Sequence, residues 1–157
     1  MKLLIKQKVL SKHPFTVKDS DGAVRWIGEQ IDGSLWVLNA QGDRVARIWK
    51  SNEDWVPILD YKTRRVEVEA EGFAFAFQEQ IKLTKKVLVV GLPWQIKGSP
   101  LTKRIVLDGD REVMWFKPHM LSEAELFIED PQLELRCVCV ALALEYLNLL
   151  GAGDGPV

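Results

Sequence analysis

The chain has few of the residues from which catalytic and metal sites are usually built. It has only two histidines and two cysteines among 157 residues. His13 and His119 each stand beside a proline, and neither has a cysteine or a second histidine at metal-ligand spacing. Cys137 and Cys139 lie in an apolar run, so we predict buried, unpaired thiols in a reducing compartment. We therefore predict no catalytic residue, metal ion or cofactor, and we expect that the protein is not an enzyme.

The chain also has little net charge and no apolar run long enough for a membrane helix. Lysine and arginine number 21 against 22 acidic residues, and a net charge of −1 gives no overall field that attracts nucleic acid. The apolar run from Cys137 to Leu144 is much shorter than the roughly 18 to 20 residues that span a bilayer. The N-terminus lacks the features of a secretory signal. We predict a cytoplasmic protein that is not transmembrane, with peripheral membrane contact left open.

A stretch near the C-terminus is typical of a buried helix. Asp130 suits an N-cap, Pro131 suits the first helical position and Gly151 suits the stop. The sequence therefore predicts a helix over 131–150 and a flexible tail over 151–157. The middle of this helix carries no polar side chain, so none of its faces suits water. The rest of the protein must surround it.

The residues before the helix alternate as β-strands do. Lys2 to Leu10 alternate with lysines on one face, and hairpins follow at regular intervals. FTVKDSDGAVRWI is echoed by LWVLNAQGDRVARIW, which indicates internal duplication. Since no helix separates the predicted strands, about twelve of them form an antiparallel sheet.

Such a sheet must protect its edges, and closing into a barrel removes them. Side chains alone fill a barrel of about eight strands, so a barrel of about twelve needs a filling. The predicted helix is roughly 30 Å long at 1.5 Å per residue, which is comparable to the height of a barrel. We predict a mainly β protein: a closed antiparallel barrel wrapped around its own C-terminal helix. Because the helix fills the barrel, we expect no interior pocket.

Four segments, in order, resemble the LURP-one-related proteins of the tubby C-terminal-like superfamily. They are LIKQKVLSKHPFTVKDSDG, LWVLNAQGDRVARIWKS, WQIKG followed by RIVLDGDREVMWFKP, and LRCVCVALALEYLNLL. The resemblance implies a single domain over 1–150 with the barrel-and-helix fold. That superfamily includes tubby proteins, which bind phosphoinositides at a basic surface site, and phospholipid scramblases, so a lipid-related role is implied. No residue here matches the tubby site, and Glu145 stands where family members often carry Asp.

Basic residues on the predicted strands carry the functional signal. If two of these strands are neighbours, the outer surface holds a patch for anionic head groups, with each cation near an anionic leaflet contributing about 1 kcal/mol. The candidate lipid- or anion-binding residues are Lys6, Lys8, Lys82, Lys85, Lys86, Lys103 and Arg104.

Three functions remain as hypotheses. The preferred one is a non-enzymatic binding or scaffold module that recognises anionic phospholipid or phosphoinositide head groups. The alternative is a protein-interaction or transcription-related regulatory domain, and the third is an enzyme with a loop-built site near His13 or His119. A deep cleft holding either histidine beside a carboxylate would favour the enzyme. Most of the six tryptophans are expected to pack against the helix.

Overall fold

The computed structural model describes residues 1–8, 10–56, 61–81, 85–99, 102–119 and 122–153. These residues form a long antiparallel sheet and one C-terminal helix. The strands are β1 (Lys2–Gln7), β2 (Phe15–Lys18), β3 (Val24–Ile31), β4 (Ser34–Leu38), β5 (Arg44–Val56), β6 (Tyr61–Ala70), β7 (Phe73–Ile81), β8 (Lys85–Val90), β9 (Trp94–Ser99), β10 (Lys103–Asp108), β11 (Arg111–His119) and β12 (Glu123–Ile128).

The sheet has twelve strands, and each pairs antiparallel with the strand next to it in the chain, with one exception. The first and last strands of the chain are neighbours in this sheet, because β1 pairs with both β2 and β12. The exception is β8 and β9, which contact each other but are not joined by any residue pairing among the described residues. The prediction of a mainly β, antiparallel barrel around a C-terminal helix is confirmed. The barrel has one seam, which lies between β8 and β9.

The core lies between the inner face of the barrel and the helix. Leu3 and Ile5 of β1 are at most 2% exposed, as their alternation predicts. No residue from Cys137 to Leu144 exposes more than 1% of its surface, so the helix is surrounded on all sides. Burial raises the pKa of the Cys137 thiol to about 12 and raises that of Cys139 as well. Both cysteines are free and buried, as predicted.

The helix begins and ends at slightly different residues from those predicted. The Asp130 carboxylate accepts a hydrogen bond of 3.0 Å from the backbone N–H two residues later, and a 3-10 turn spans Pro131–Leu133. Helix α1 then runs over Glu134–Gly153. The predicted stop at Gly151 is therefore wrong, since glycine is tolerated within a helix at a cost of only about 1 kcal/mol. Within the described residues, no helix is long and apolar enough to cross a membrane.

The two repeated hairpins share the same turn. Asp19 Oδ1 accepts hydrogen bonds from the backbone N–H groups two and four residues later, at 2.9 and 3.0 Å. Asn39 Oδ1 does the same at 3.0 and 2.9 Å. Gly22 and Gly42 follow with φ of +83° and +85°, a backbone conformation that glycine adopts without strain. Equivalent turns at equivalent positions support the internal duplication.

Candidate functional site: an outer wall and a seam cleft

The predicted basic residues of the first strand are largely neutralised by β12. Lys2 Nζ lies 2.8 Å from a Glu125 oxygen, and Lys6 Nζ lies 3.7 Å from a Glu123 oxygen. Lys8 follows β1 and is exposed. Because carboxylates on the adjacent strand balance two of these three lysines, β1 offers less positive charge than its sequence indicates.

The other candidates lie away from β1 in the sheet. Two strands, β12 and β11, separate β1 from β10, and β8 lies beyond β9 on the far side of the seam. Lys86 is exposed on β8. Lys85 belongs to the same strand, but its side chain, like the whole of Lys82, lies outside the described residues. The candidates whose side chains the structure describes, Lys6, Lys8, Lys86, Lys103 and Arg104, therefore do not form one patch.

Lys103 and Arg104 are adjacent in β10 and point to opposite faces of the barrel wall. Successive side chains of a strand alternate, and the next residue but one after Arg104, Val106, is fully buried in the core. Arg104 thus faces inward and is half-buried, whereas Lys103 is exposed. The Lys103 ammonium lies 4.7 Å from the centroid of the Trp115 ring on β11. These two neighbours belong to two different sites.

The first site is an aromatic surface with lysines around it, which we call the outer wall. Strand register places Lys97, Ile105, Trp115, Phe127 and Lys2 in one row across five neighbouring strands. The rings of Trp115 and Phe127 stack with centroids 5.6 Å apart and an interplanar angle of 11°. We define the outer wall as this row together with the exposed Lys103 and Lys117. The outer wall was not predictable from the sequence, because the row unites strands from both ends of the chain.

The second site is a cleft at the seam, with a volume of about 960 Å³. Its walls come from β8, β9, the turn between them and the end of α1. Lys86, Lys97, Arg104 and Glu79 bring charge to its lining. The expectation that the helix leaves no interior pocket is therefore wrong. The helix fills the barrel where strands are paired, but the unpaired seam leaves space beside its C-terminal half.

Arg104 is the distinctive charge of this seam cleft. It makes no hydrogen bond or ion pair with another residue in the part of the chain that the structure describes. Burial lowers the pKa of Arg104, while the Glu145 carboxylate of α1 raises it by a smaller amount. Burial raises the pKa of Glu145 in turn, and Arg104 opposes that shift. A partly desolvated guanidinium without a direct partner is costly unless something binds it.

The two histidines lie on the surface and do not line the seam cleft. His13 Nε2 is 3.0 Å from a Glu29 oxygen, and His119 Nε2 is 3.1 Å from a Glu125 oxygen. The hydrogen bond with His13 is the main reason why the pKa of Glu29 is lowered. Each histidine thus has a carboxylate beside it, on the open surface of the barrel.

Tryptophans differ most from their predicted positions. Of the five whose side chains the structure describes, only Trp94 belongs to the fully buried core, at 5% exposure. Trp26 packs partly against that core and donates a hydrogen bond of 2.7 Å from Nε1 to Glu134. Three others are half-buried on the outer face, because the residues beside them in each strand take the inward positions. These are Trp36, Trp49 and Trp115.

Comparisons with known proteins support the fold. No protein-family model matches the chain, and no curated protein matches it. The X-ray structure of a protein from Arabidopsis thaliana (AT5G01750) is similar, with a TM-score of 0.57 over 92% of this chain and 91% of that one. The two sequences are 11% identical, so this likeness shows the fold alone. Membership of the LURP-one-related family stays a prediction.

Proposed function

We propose that this protein is a non-enzymatic binding module that docks on anionic lipid surfaces through its outer wall. The observation that carries the proposal is the stacked Trp115–Phe127 pair with lysines around it. Aromatic rings and lysines together are typical of surfaces that rest at the boundary between lipid head groups and acyl chains. The proposal keeps the predicted ligand class. Of the predicted binding residues it retains Lys103, and it places the site on the outer wall, which spans β9 to β12 and β1.

The charges of the outer wall favour an anionic surface. Lys97, Lys103 and Lys117 make no ion pair with the described residues, whereas Lys2 and Lys6 are paired with carboxylates. An unpaired lysine near an anionic leaflet contributes about 1 kcal/mol. Three such lysines therefore contribute about 3 kcal/mol, in addition to the apolar contact of the two rings.

Co-sedimentation with vesicles tests the proposal. Wild-type protein should bind vesicles of phosphatidylcholine with phosphatidylinositol phosphate better than vesicles of phosphatidylcholine alone, and salt should weaken the difference because it screens exposed charges. Lys103→Glu replaces one attraction with a similar repulsion, about 2 kcal/mol in total, which lowers affinity roughly 30-fold. Trp115→Ala should also weaken binding.

Lys12→Glu is the matched control, since it makes the same charge change at an exposed loop position outside the outer wall. It should bind anionic vesicles nearly as the wild type does. Equal losses in Lys103→Glu and Lys12→Glu would show that only net charge matters, and the outer wall would then not be the site. Absence of selective binding by the wild type would reject the lipid function itself.

A further inference from the structure

The lining of the seam cleft is largely apolar, and most of the charged residues in it are basic. We propose that it binds a single-chain amphiphile with a carboxylate head group, such as a long-chain fatty acid, with the carboxylate on Arg104 and the acyl chain along the seam. This site differs from the outer wall, because its head-group residue, Arg104, faces the inner side of the barrel wall; Lys97 is the residue that belongs to both sites. The inference does not depend on the proposed docking on lipid surfaces.

The shape of the cleft suits an acyl chain. Its volume of about 960 Å³ is within the range of sites that enclose small molecules. Trp94 stands at one end, and Arg104 pairs in register with Gly98, four residues further along β9. At about 3.3 Å per residue, the distance from the tryptophan to the cation is about 13 Å. The apolar lining between them is Val87, Val89, Leu92, Ile96 and Leu147.

The position opposite Arg104 carries no side chain. Gly98 lies there in register with a φ of +98°, and a Cβ on it would clash with the backbone carbonyl oxygen of Lys103. Both residues line the cleft, so Gly98 places no side chain beside the guanidinium. The guanidinium fork matches the geometry of a carboxylate, which can accept two parallel hydrogen bonds from it.

The charge balance of the cleft favours an anion. Arg104 and the exposed Lys86 and Lys97 line it, against Glu79 in the lining and Glu145 of α1, which acts on Arg104. Glu79 Oε1 lies 3.4 Å from the guanidinium of Arg64, so that carboxylate already has a cation beside it. A carboxylate at Arg104 gains two charge-assisted hydrogen bonds without displacing an existing partner among the described residues.

Titration of the purified full chain with a fluorescent fatty acid, dansylaminoundecanoic acid, tests this inference without any vesicle. Wild-type protein should bind the probe saturably with one site per chain, and unlabelled palmitate should displace it. Hexadecanol has a similar chain without the charge, so it should displace the probe about tenfold less well or worse.

Arg104→Gln should lower affinity for the probe about tenfold or more, since it removes the charge and one of the two hydrogen bonds. Arg111→Gln makes the same change at the exposed start of β11 and should leave affinity unchanged. Val89→Trp fills the cleft while it keeps Arg104, and it should also lose the probe. Circular dichroism verifies that each variant is folded.

Three results would overturn the inference. One is the absence of saturable binding of the probe by the wild type. Another is equal affinity in wild type, Arg104→Gln and Val89→Trp, which would place the probe elsewhere on the protein. An extended peptide that competes fully with palmitate and adds a strand between β8 and β9 would equally reject the fatty-acid assignment, because edge strands also accept peptides.

Discussion

Loss of the Glu134 carboxylate should destabilise the protein more than loss of any exposed ion pair. Glu134 stands at the first position of α1, and its side chain is 9% exposed. It accepts hydrogen bonds of 2.7 Å from Nε and Nη2 of Arg25 and from Nε1 of Trp26, both on β3. These three bonds fix the start of the helix to the inside of the barrel.

The magnitude follows from what Glu134→Ala leaves behind. A hydrogen bond to a charged group contributes about 1.5 to 3 kcal/mol, and this applies in full to Trp26, which has no other acceptor among the described residues. Arg25 is 39% exposed, so water replaces much of its interaction with the carboxylate. We therefore expect Glu134→Ala to lower the free energy of unfolding by about 2 to 4 kcal/mol. Each kcal/mol lowers the melting temperature of a protein of this size by about 2 to 4 °C.

Chemical and thermal denaturation of Glu134→Ala, Glu134→Gln and Glu123→Gln measure this effect. Glu134→Gln keeps one acceptor oxygen and should lie between the wild type and Glu134→Ala. Glu123→Gln removes an exposed pair with Lys6 and should change stability by less than about 0.5 kcal/mol. A Glu134→Ala variant as stable as Glu123→Gln would refute the argument that this cluster anchors the helix.

Two further predictions concern the helix end and the seam. Because burial raises the pKa of Glu145 above its ordinary value of 4.5, its ionised form opposes folding, and Glu145→Gln should raise the melting temperature at pH 7. The wild type should gain stability as the pH falls through the raised pKa towards 4.5, because Glu145 is then protonated in the folded protein. The melting temperatures of the wild type and Glu145→Gln should therefore converge in acid. A difference between them that grows as the pH falls would contradict a raised pKa. Gly98→Ala should destabilise the protein by more than Gly42→Ala, because both residues have positive φ but only Gly98 would clash with the neighbouring backbone. Urea denaturation compares these two variants, and equal losses would show that the clash relaxes at no cost.

The architecture was predictable because it depends on patterns that are local in sequence. Alternation within β1 identifies Leu3 and Ile5 as core, and the apolar run from Cys137 identifies the buried helix without any knowledge of its surroundings. The repeated hairpins predicted their own turns, since Asp19 and Asn39 each supply the acceptor that such a turn needs. The end of the helix was not predictable from Gly151, because glycine alone does not stop a helix.

The site was predictable only in part, because its charges depend on which strands are neighbours. A count of lysines in β1 cannot show that Glu123 and Glu125, more than a hundred residues later, form ion pairs with them from the neighbouring strand. Likewise, nothing near Trp115 in the sequence indicates that Phe127 stacks on it from the next strand. Lys103 and Arg104 are adjacent in the sequence, but the alternation of a strand points one outward and the other inward.

The seam explains how a barrel filled by its own helix still offers a cleft. β8 and β9 are consecutive strands with a three-residue connection, the arrangement in which an antiparallel hairpin is normally expected. Instead, no residue of β8 pairs with β9 among the described residues, and the space between the two strands is the seam cleft. The proposed ligand would fill this space, because its acyl chain would cover the apolar side chains of the lining and its carboxylate would bind Arg104. The absence of pairing between β8 and β9 is thus what opens the site that the cleft is proposed to offer to this ligand.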